Sequence, residues 1–412
     1  MNPILQALWM GILSLLQIIF HPLFWLVLYI ISTQYKRQVK AELKILGMEK
    51  GSLIDKIINA TLYGFLGGLV GSILMILIGV SIRQEGLIYL WPIAIILFLI
   101  KSRYLCFSYA GGIISVFSLI FGFPKIDVSG LMALVAVLHL VESFLIYTNG
   151  DYNSLPIIID KGNGKHIGGY SLQRFWPIPI VIMTIIFQNQ VNTETLIQMP
   201  DWWPIIKPTG VNDLDGITFI MISIVAALGY GDVVFTQLPK AKARESALKL
   251  GGYSLILLAL SIVSSRVSFL QWGAALFAPI GHELLILHGR KKEEYGIPIL
   301  TLPEKGIRVL EVLEGSASEK IGINRGDIIY SINNIPINNS EDIKGVLNQY
   351  FTFVWVEGET YQGERYTKEL KVYPYGLRTL GIIVLPQYSD ISYVMEERDG
   401  ILTRLWEKYI KK

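Results

Sequence analysis

Residues 306–338 read GIRVLEVLEGSASEKIGINRGDIIYSINNIPIN. Ile307, Val309 and Val312 fall in the apolar pattern of a half-buried strand, Gly315-Ser316 breaks the chain, and Ala317 to Ile321 make one helical turn. Gly326-Asp327 is a tight turn into a second strand through Ile328, Ile329, Ser331 and Ile332. Asn333-Asn334 is a hairpin turn toward Ile335 and Ile337. Ser340 is expected to cap a helix that carries Ile343, Val346 and Leu347 on one face.

Strand, helical turn, strand, hairpin and helix in this order resemble the PDZ domain in its bacterial form. The resemblance implies a small β-barrel or sandwich with two helices, binding a peptide as an added strand at a sheet edge while a glycine loop of backbone N–H groups holds the terminal carboxylate. Two segments place glycine between apolar residues, Tyr295-Gly296-Ile297 before the first strand and Leu380-Gly381-Ile382 after the stretch 373–379, and the sequence does not choose between them. The helix residues Ile343, Val346 and Leu347 are the expected groove side, with core packing as the alternative reading. Gly315, Gly326 and Asp327 read as turn formers.

Outward from this module the chain changes character. Hydrophobic residues make up 52% of the 412, charged residues 17%, and the mean hydropathy is +0.47, which is too apolar for a soluble protein. The fold class expected is a polytopic α-helical membrane protein with a C-terminal cytoplasmic PDZ-like domain. Apolar runs at 4–32, 57–82, 87–100, 104–123, 130–148, 175–187, 217–235 and 251–288 give about eight or nine spans, the last run being divided near Ser264-Ser265-Arg266. The division of the chain is then 1–288 for the membrane domain, 289–389 for the PDZ domain and 390–412 for an amphipathic C-terminal helix, docked on the PDZ domain or, as alternatives, lying on the membrane surface or binding a partner. No cleavable leader is expected at the N-terminus.

A net charge of +3 with basic residues beside apolar runs does not suit nucleic acid. Lys36 to Lys50, Lys101 with Arg103, Lys240 to Lys249 and Arg290 to Lys292 are the basic clusters that orient a membrane protein; with these inside, loop 188–216 and its Trp202-Trp203-Pro204 lie outside and the PDZ domain faces the cytoplasm.

Two catalytic patterns need weighing. His282-Glu283 opens a zincin motif, but HExxH needs a second histidine four residues on and position 286 is isoleucine, while Cys106 is the single cysteine. No metal site, Cys-type sites included, no disulfide and no cofactor is therefore expected. Gly229-Tyr230-Gly231-Asp232 resembles the GxGD motif of intramembrane aspartyl proteases, which pairs two aspartates; the other aspartates of the membrane portion sit in or beside polar loops. The bland reading is that Gly229 and Gly231 permit close helix packing and Asp232 caps a polar end. Asp232 remains the catalytic candidate of that alternative only, and an envelope-stress regulator carrying a PDZ domain is the other.

Over nearly its full length, through GYGDVVFTQLPKAKARESALKLGGYSLILLAL, the basic RKKEEYGIP linker and the segment quoted first, the chain resembles the MinJ-like polytopic membrane PDZ proteins of the Min division-site system in Gram-positive rods. That resemblance implies a non-enzymatic adaptor at septum and poles, bridging DivIVA-like and MinC–MinD-like partners. Partners expected are thus proteins and the lipid bilayer, with homo-oligomerisation left open.

Overall fold

In the computed structural model the described residues are 2–82, 84–160, 166–187, 197–208, 217–373 and 376–386. The expected helix at 390–412 lies outside them. Elements follow in the order α1 (Pro3–Gln17), α2 (Pro22–Leu46), α3 (Leu53–Ile78), β1 (Ser81–Ile82), α4 (Gln84–Ile100), α5 (Phe107–Phe121), α6 (Val128–Asn149), β2 (Leu155–Asp160), β3 (His166–Phe187), β4 (Ile217–Val234), α7 (Pro239–Ser264) and α8 (Leu270–Tyr295). The C-terminal part holds β5 (Leu300–Thr301), β6 (Ile307–Val312), α9 (Ala317–Lys320), β7 (Ile328–Ile332), β8 (Ile335–Pro336), α10 (Ser340–Leu347), β9 (Phe353–Glu359), β10 (Arg365–Lys371) and β11 (Ile382–Val384).

Five helices among the described residues are long and apolar enough to cross a membrane: Pro3–Phe20, Leu53–Ile78, Val128–Asn149, Pro239–Ser264 and Leu270–Tyr295. α6 is the centre of the bundle; 78% of its most apolar window is buried, against 22 to 39% for the other four. The first apolar run breaks at His21-Pro22, where α2 begins, and the last is divided between α7 and α8.

The runs 175–187 and 217–235, expected as spans, are strands. β3 and β4 pair antiparallel without interruption from Tyr170↔Val234 to Phe187↔Ile217. Hydropathy does not separate a buried strand from a buried helix, but the residues of FWPIPIVIMTIIF do. Pro177 and Pro179 stand two apart, which no helix interior accommodates, among β-branched neighbours that suit a pleated strand. The motif GYGD consequently lies in β4, with Gly229 opposite Phe175 and Gly231 opposite Gln173, so those glycines do not serve helix packing.

The edge of β3 away from β4 packs along α3. A Cβ on Gly64 would stand 2.0 Å from the Pro177 carbonyl oxygen, and one on Gly68 1.9 Å from that of Pro179, so only glycine permits this approach. Contact with the middle of a 26-residue apolar helix puts strand backbone at membrane depth, where every polar group needs a partner. On this edge Phe175 N–H donates to Tyr35 Oη (3.2 Å), Pro177 and Pro179 have no N–H, and Val181 N–H donates to Ser72 Oγ (2.9 Å). Tyr35 O–H returns a bond to the Phe175 carbonyl (3.0 Å).

The C-terminal sheet has the order β10-β9-β7-β6-β11, with β8 paired to β7. Its core gathers Ile307, Val309, Ile329, Ile332, Ile337, Val354, Val356 and Leu380 under α10. Asn333 and Asn334 both take positive φ (50° and 63°), the geometry of a two-residue hairpin turn. The cap of α10 is Asn339, not Ser340: its Oδ1 accepts from the Glu341 and Asp342 N–H groups while Asp342 Oδ2 accepts from Asn339 N–H, a reciprocal box that leaves Ser340 as the first helical residue.

Candidate peptide-binding site

β11 is the last strand of its sheet and pairs, among the described residues, with β6 alone. The segment before it is built for a sharp entry. Gly381 has φ +72°, a conformation that favours glycine, and a Cβ there would collide with Ser316 at 2.3 Å. Leu380 is 1% exposed and anchors the segment in the core, its carbonyl accepting from Ser318 N–H (3.0 Å), and the Gly381 carbonyl accepts from Leu313 N–H (2.8 Å). Gly381 therefore turns its carbonyl toward β6, and Leu385 N–H likewise points inward, to the Arg308 carbonyl (2.9 Å). Strand alternation then directs the N–H groups of Ile382 and Val384 away from the sheet, onto an edge that an added strand can use. Ile382, Ile383 and Val384 are all half-buried.

The other glycine segment is elsewhere. Gly296 closes α8 and packs on Thr236 beside the end of β4, with Tyr295 and Ile297 78% and 87% exposed. The structure does not bring it beside Leu380-Gly381-Ile382. Ile343, Val346 and Leu347 face the core at 8%, 3% and 7% exposure, packed with the same cluster that holds Leu380, and they offer little free surface of their own.

The strand next to β11 is fastened to the membrane domain. Glu311 of β6, opposite Ile383, is buried and accepts from Arg325 through both oxygens (2.8 and 3.0 Å) and from Lys50 Nζ (2.8 Å) in the α2–α3 connection. Arg325 also reaches Ser154 Oγ (3.1 Å) and stands over the Tyr170 ring, whose hydroxyl donates to the Leu310 carbonyl (2.6 Å). Burial lowers the Lys50 pKa against the pull of Glu311, whereas for Arg325 the paired contacts of Glu311 outweigh burial and raise it. Leu310 and Leu385 belong to the core of the membrane domain. β5 adds a further tie by pairing with β3 at Ile167 and Gly168.

Asp232 has a structural environment. Its carboxylate accepts from Val233 N–H (2.9 Å), Ser246 Oγ (3.3 Å) and Tyr230 Oη (3.4 Å) and lies 3.5 Å from Lys242 Nζ. Lys242 also binds Glu293 (3.0 Å), whose other oxygen takes the N–H groups of Phe235 and Thr236. Two carboxylates joined through an ammonium group do not share a proton, and a strand does not present Asp232 as the helix of an aspartyl protease would.

Residues 284–347 match the family description PDZ domain. The matched stretch starts inside α8 and ends with α10, short of β11. The chain is also 23% identical over 354 residues to the cell division topological determinant MinJ of Bacillus subtilis (strain 168), covering 82% of this chain and 85% of that protein. The chain is thus a polytopic membrane protein with a C-terminal PDZ domain, similar to MinJ over most of its length.

Proposed function

We propose that this protein is a membrane adaptor in division-site selection, which takes a peptide segment of a cytoplasmic partner as an added strand on β11. The observation that carries the reading is the edge of β11 that has no partner strand among the described residues, entered through Gly381, on a PDZ sheet bonded to the membrane bundle through Glu311, Lys50 and Arg325. The likeness to MinJ over 82% of the chain supports the cellular setting. DivIVA-like and MinC–MinD-like proteins are the partners we assign, and self-association would add to their capture by raising local concentration. A cytoplasmic PDZ domain agrees with the basic clusters: Lys50 joins the PDZ sheet directly, and Lys242 and Lys292 lie on the acidic residues Glu293 and Glu245 near the β4–α7 turn. The binding residues we assign are Leu380, Gly381 and Ile382, with Ile343, Val346 and Leu347 shaping the groove from beneath.

The test is imaging of a fluorescent fusion in dividing host cells beside a strain lacking the gene. Enrichment at septa and poles, with filaments or minicells on deletion, supports the adaptor; uniform membrane signal with normal division defeats it. Gly381→Val should disperse the septal signal of the partners while the protein itself stays in the membrane.

A further inference from the structure

Three ligand-type side chains that the sequence keeps far apart meet inside the helical bundle. Cys106 stands immediately before α5, His139 in the middle of α6 and His282 in the middle of α8. Their ligand atoms all lie within 4.8 Å of one another, with Cys106 Sγ 3.1 Å from His139 Nε2 and 3.8 Å from His282 Nε2. A thiol has one hydrogen and can serve one imidazole at a time, and Ser108 Oγ, 3.2 Å from His139 Nε2, is the other hydrogen-bonding group at that nitrogen. A tetrahedral ion held by a thiolate and an imidazole spaces S and N about 3.5 Å apart, between the two distances found.

We propose that Cys106, His139 and His282 form a binding site for a late first-row transition metal ion, Zn2+ or Cu+. The ring nitrogens that face away from the site prepare the ones that face it. His139 Nδ1 lies 2.7 Å from the Val135 carbonyl, which can only accept, so the neutral ring carries its hydrogen there and turns a lone pair on Nε2 toward the thiol. His282 Nδ1 is 3.4 Å from Tyr109 Oη; that hydroxyl donates to Glu283 Oε2 at 2.5 Å, leaving its oxygen to accept from the imidazole. Glu283 Oε1 is in turn held by Arg103 at 2.9 Å. Hydrogen-bonded supports of this kind orient histidine ligands in metal centres.

Charge and softness agree. Zn2+ with one thiolate and two neutral imidazoles leaves one positive charge, and Glu142 stands one turn beyond His139 on α6. Cu+ with the same donors is neutral by itself. Thiolate and imidazole together select these ions over Mg2+, Ca2+ or Mn2+.

The site has a mechanical meaning. α4 and α5 have 17 and 15 residues, fewer than the roughly 20 that span a bilayer, and their connecting turn ends beside His139, about 16 Å along α6. An ion there fastens the tip of this short hairpin to α6 and α8. A single cysteine excludes a multi-cysteine centre, but not one that two histidines from other helices complete, and here the proposal departs from the sequence expectation of no metal site.

The proposal stands apart from the adaptor reading and is tested without it. The full chain, purified in detergent, stripped with chelator and loaded with Zn2+ or with Cu+ under reductant, should retain about one ion per chain after desalting. Cys106→Ser and His282→Gln should lower retention at least tenfold, and Cys106→His should restore it. Loading should also slow alkylation of Cys106 by N-ethylmaleimide at least tenfold in the unsubstituted protein, a readout that needs no variant to fold. The proposal is overturned if the folded protein retains neither ion, if both variants retain it as before, or if neither ion slows alkylation.

Discussion

Among the described residues, β3 between Ser171 and Met183 and β11 each turn one side toward something other than a strand, and the chain treats those two sides in opposite ways. Along 175–181 the outward positions of β3 are closed one by one: Tyr35 takes the first N–H, two prolines remove the next two, and Ser72 takes the fourth. On β11 the outward N–H groups of Ile382 and Val384 carry no such stopper among the described residues, and the strand is short, with three residues. The environment accounts for the difference. An unmet N–H at bilayer depth has no water to fall back on, whereas one on a PDZ edge in water is solvated until a peptide displaces the solvent. The same backbone chemistry is a liability in one place and, in the function proposed above, a binding site in the other.

The largest effect is expected where the sealed edge is reopened by force. Gly68→Ala in an ordinary helix would stabilise by about 1 kcal/mol. Here the new Cβ meets the Pro179 carbonyl at 1.9 Å, so α3 and β3 must separate and the Ser72–Val181 bond is lost. We expect a loss of about 4 kcal/mol or more, the range reserved for core disruption, seen as a lower melting temperature and poor monodispersity in detergent. Unchanged melting would mean that α3 and β3 do not touch.

Next comes the joint between the two regions. Glu311→Ala leaves Lys50 and Arg325 facing each other without their carboxylate; because both cations retain some solvent contact, about 3 kcal/mol is expected, the lower end for a broken buried pair. Protease sensitivity around β5 and β6 should rise while the bundle itself stays resistant. If the digestion pattern is that of the unsubstituted protein, the PDZ sheet is held by other contacts. Tyr35→Phe is milder. It removes the partner of both the Phe175 N–H and its carbonyl, for about 1–3 kcal/mol in melting, and Ser72→Ala should act similarly at Val181.

The sequence announced these two edges unequally. The PDZ strands, their turns and the helix carrying Ile343, Val346 and Leu347 were legible because local pattern and glycine placement agree in a soluble module. β3 and β4 were not, since a hydropathy scale records how apolar a segment is and ignores that Pro177 and Pro179 forbid a helix. That Gly381 and not Gly296 ends beside β6 is a long-range pairing with no local signature. Cys106, His139 and His282 were unreadable as a group for the same reason: each is ordinary on its own helix, and only the packing of α5, α6 and α8 collects them.

The smallest change in stability and the sharpest test of the open edge is Val384→Pro. Proline at this position deletes an N–H that strand alternation directs outward, so the ladder to β6 keeps its bonds at Leu385 and Gly381. One hydrogen bond contributes about 1 kcal/mol, which predicts a five- to tenfold weaker affinity for a peptide that adds to β11, with the ring also obstructing the backbone approach. The control is Glu364→Pro, placed before β10 at the opposite end of the sheet, which should leave peptide affinity unchanged. Equal weakening by both substitutions would show that the effect is general loosening of the domain; weakening by neither would mean that the partner does not pair with β11, and that the side sealed in the membrane and the side left open in water differ for some reason other than binding.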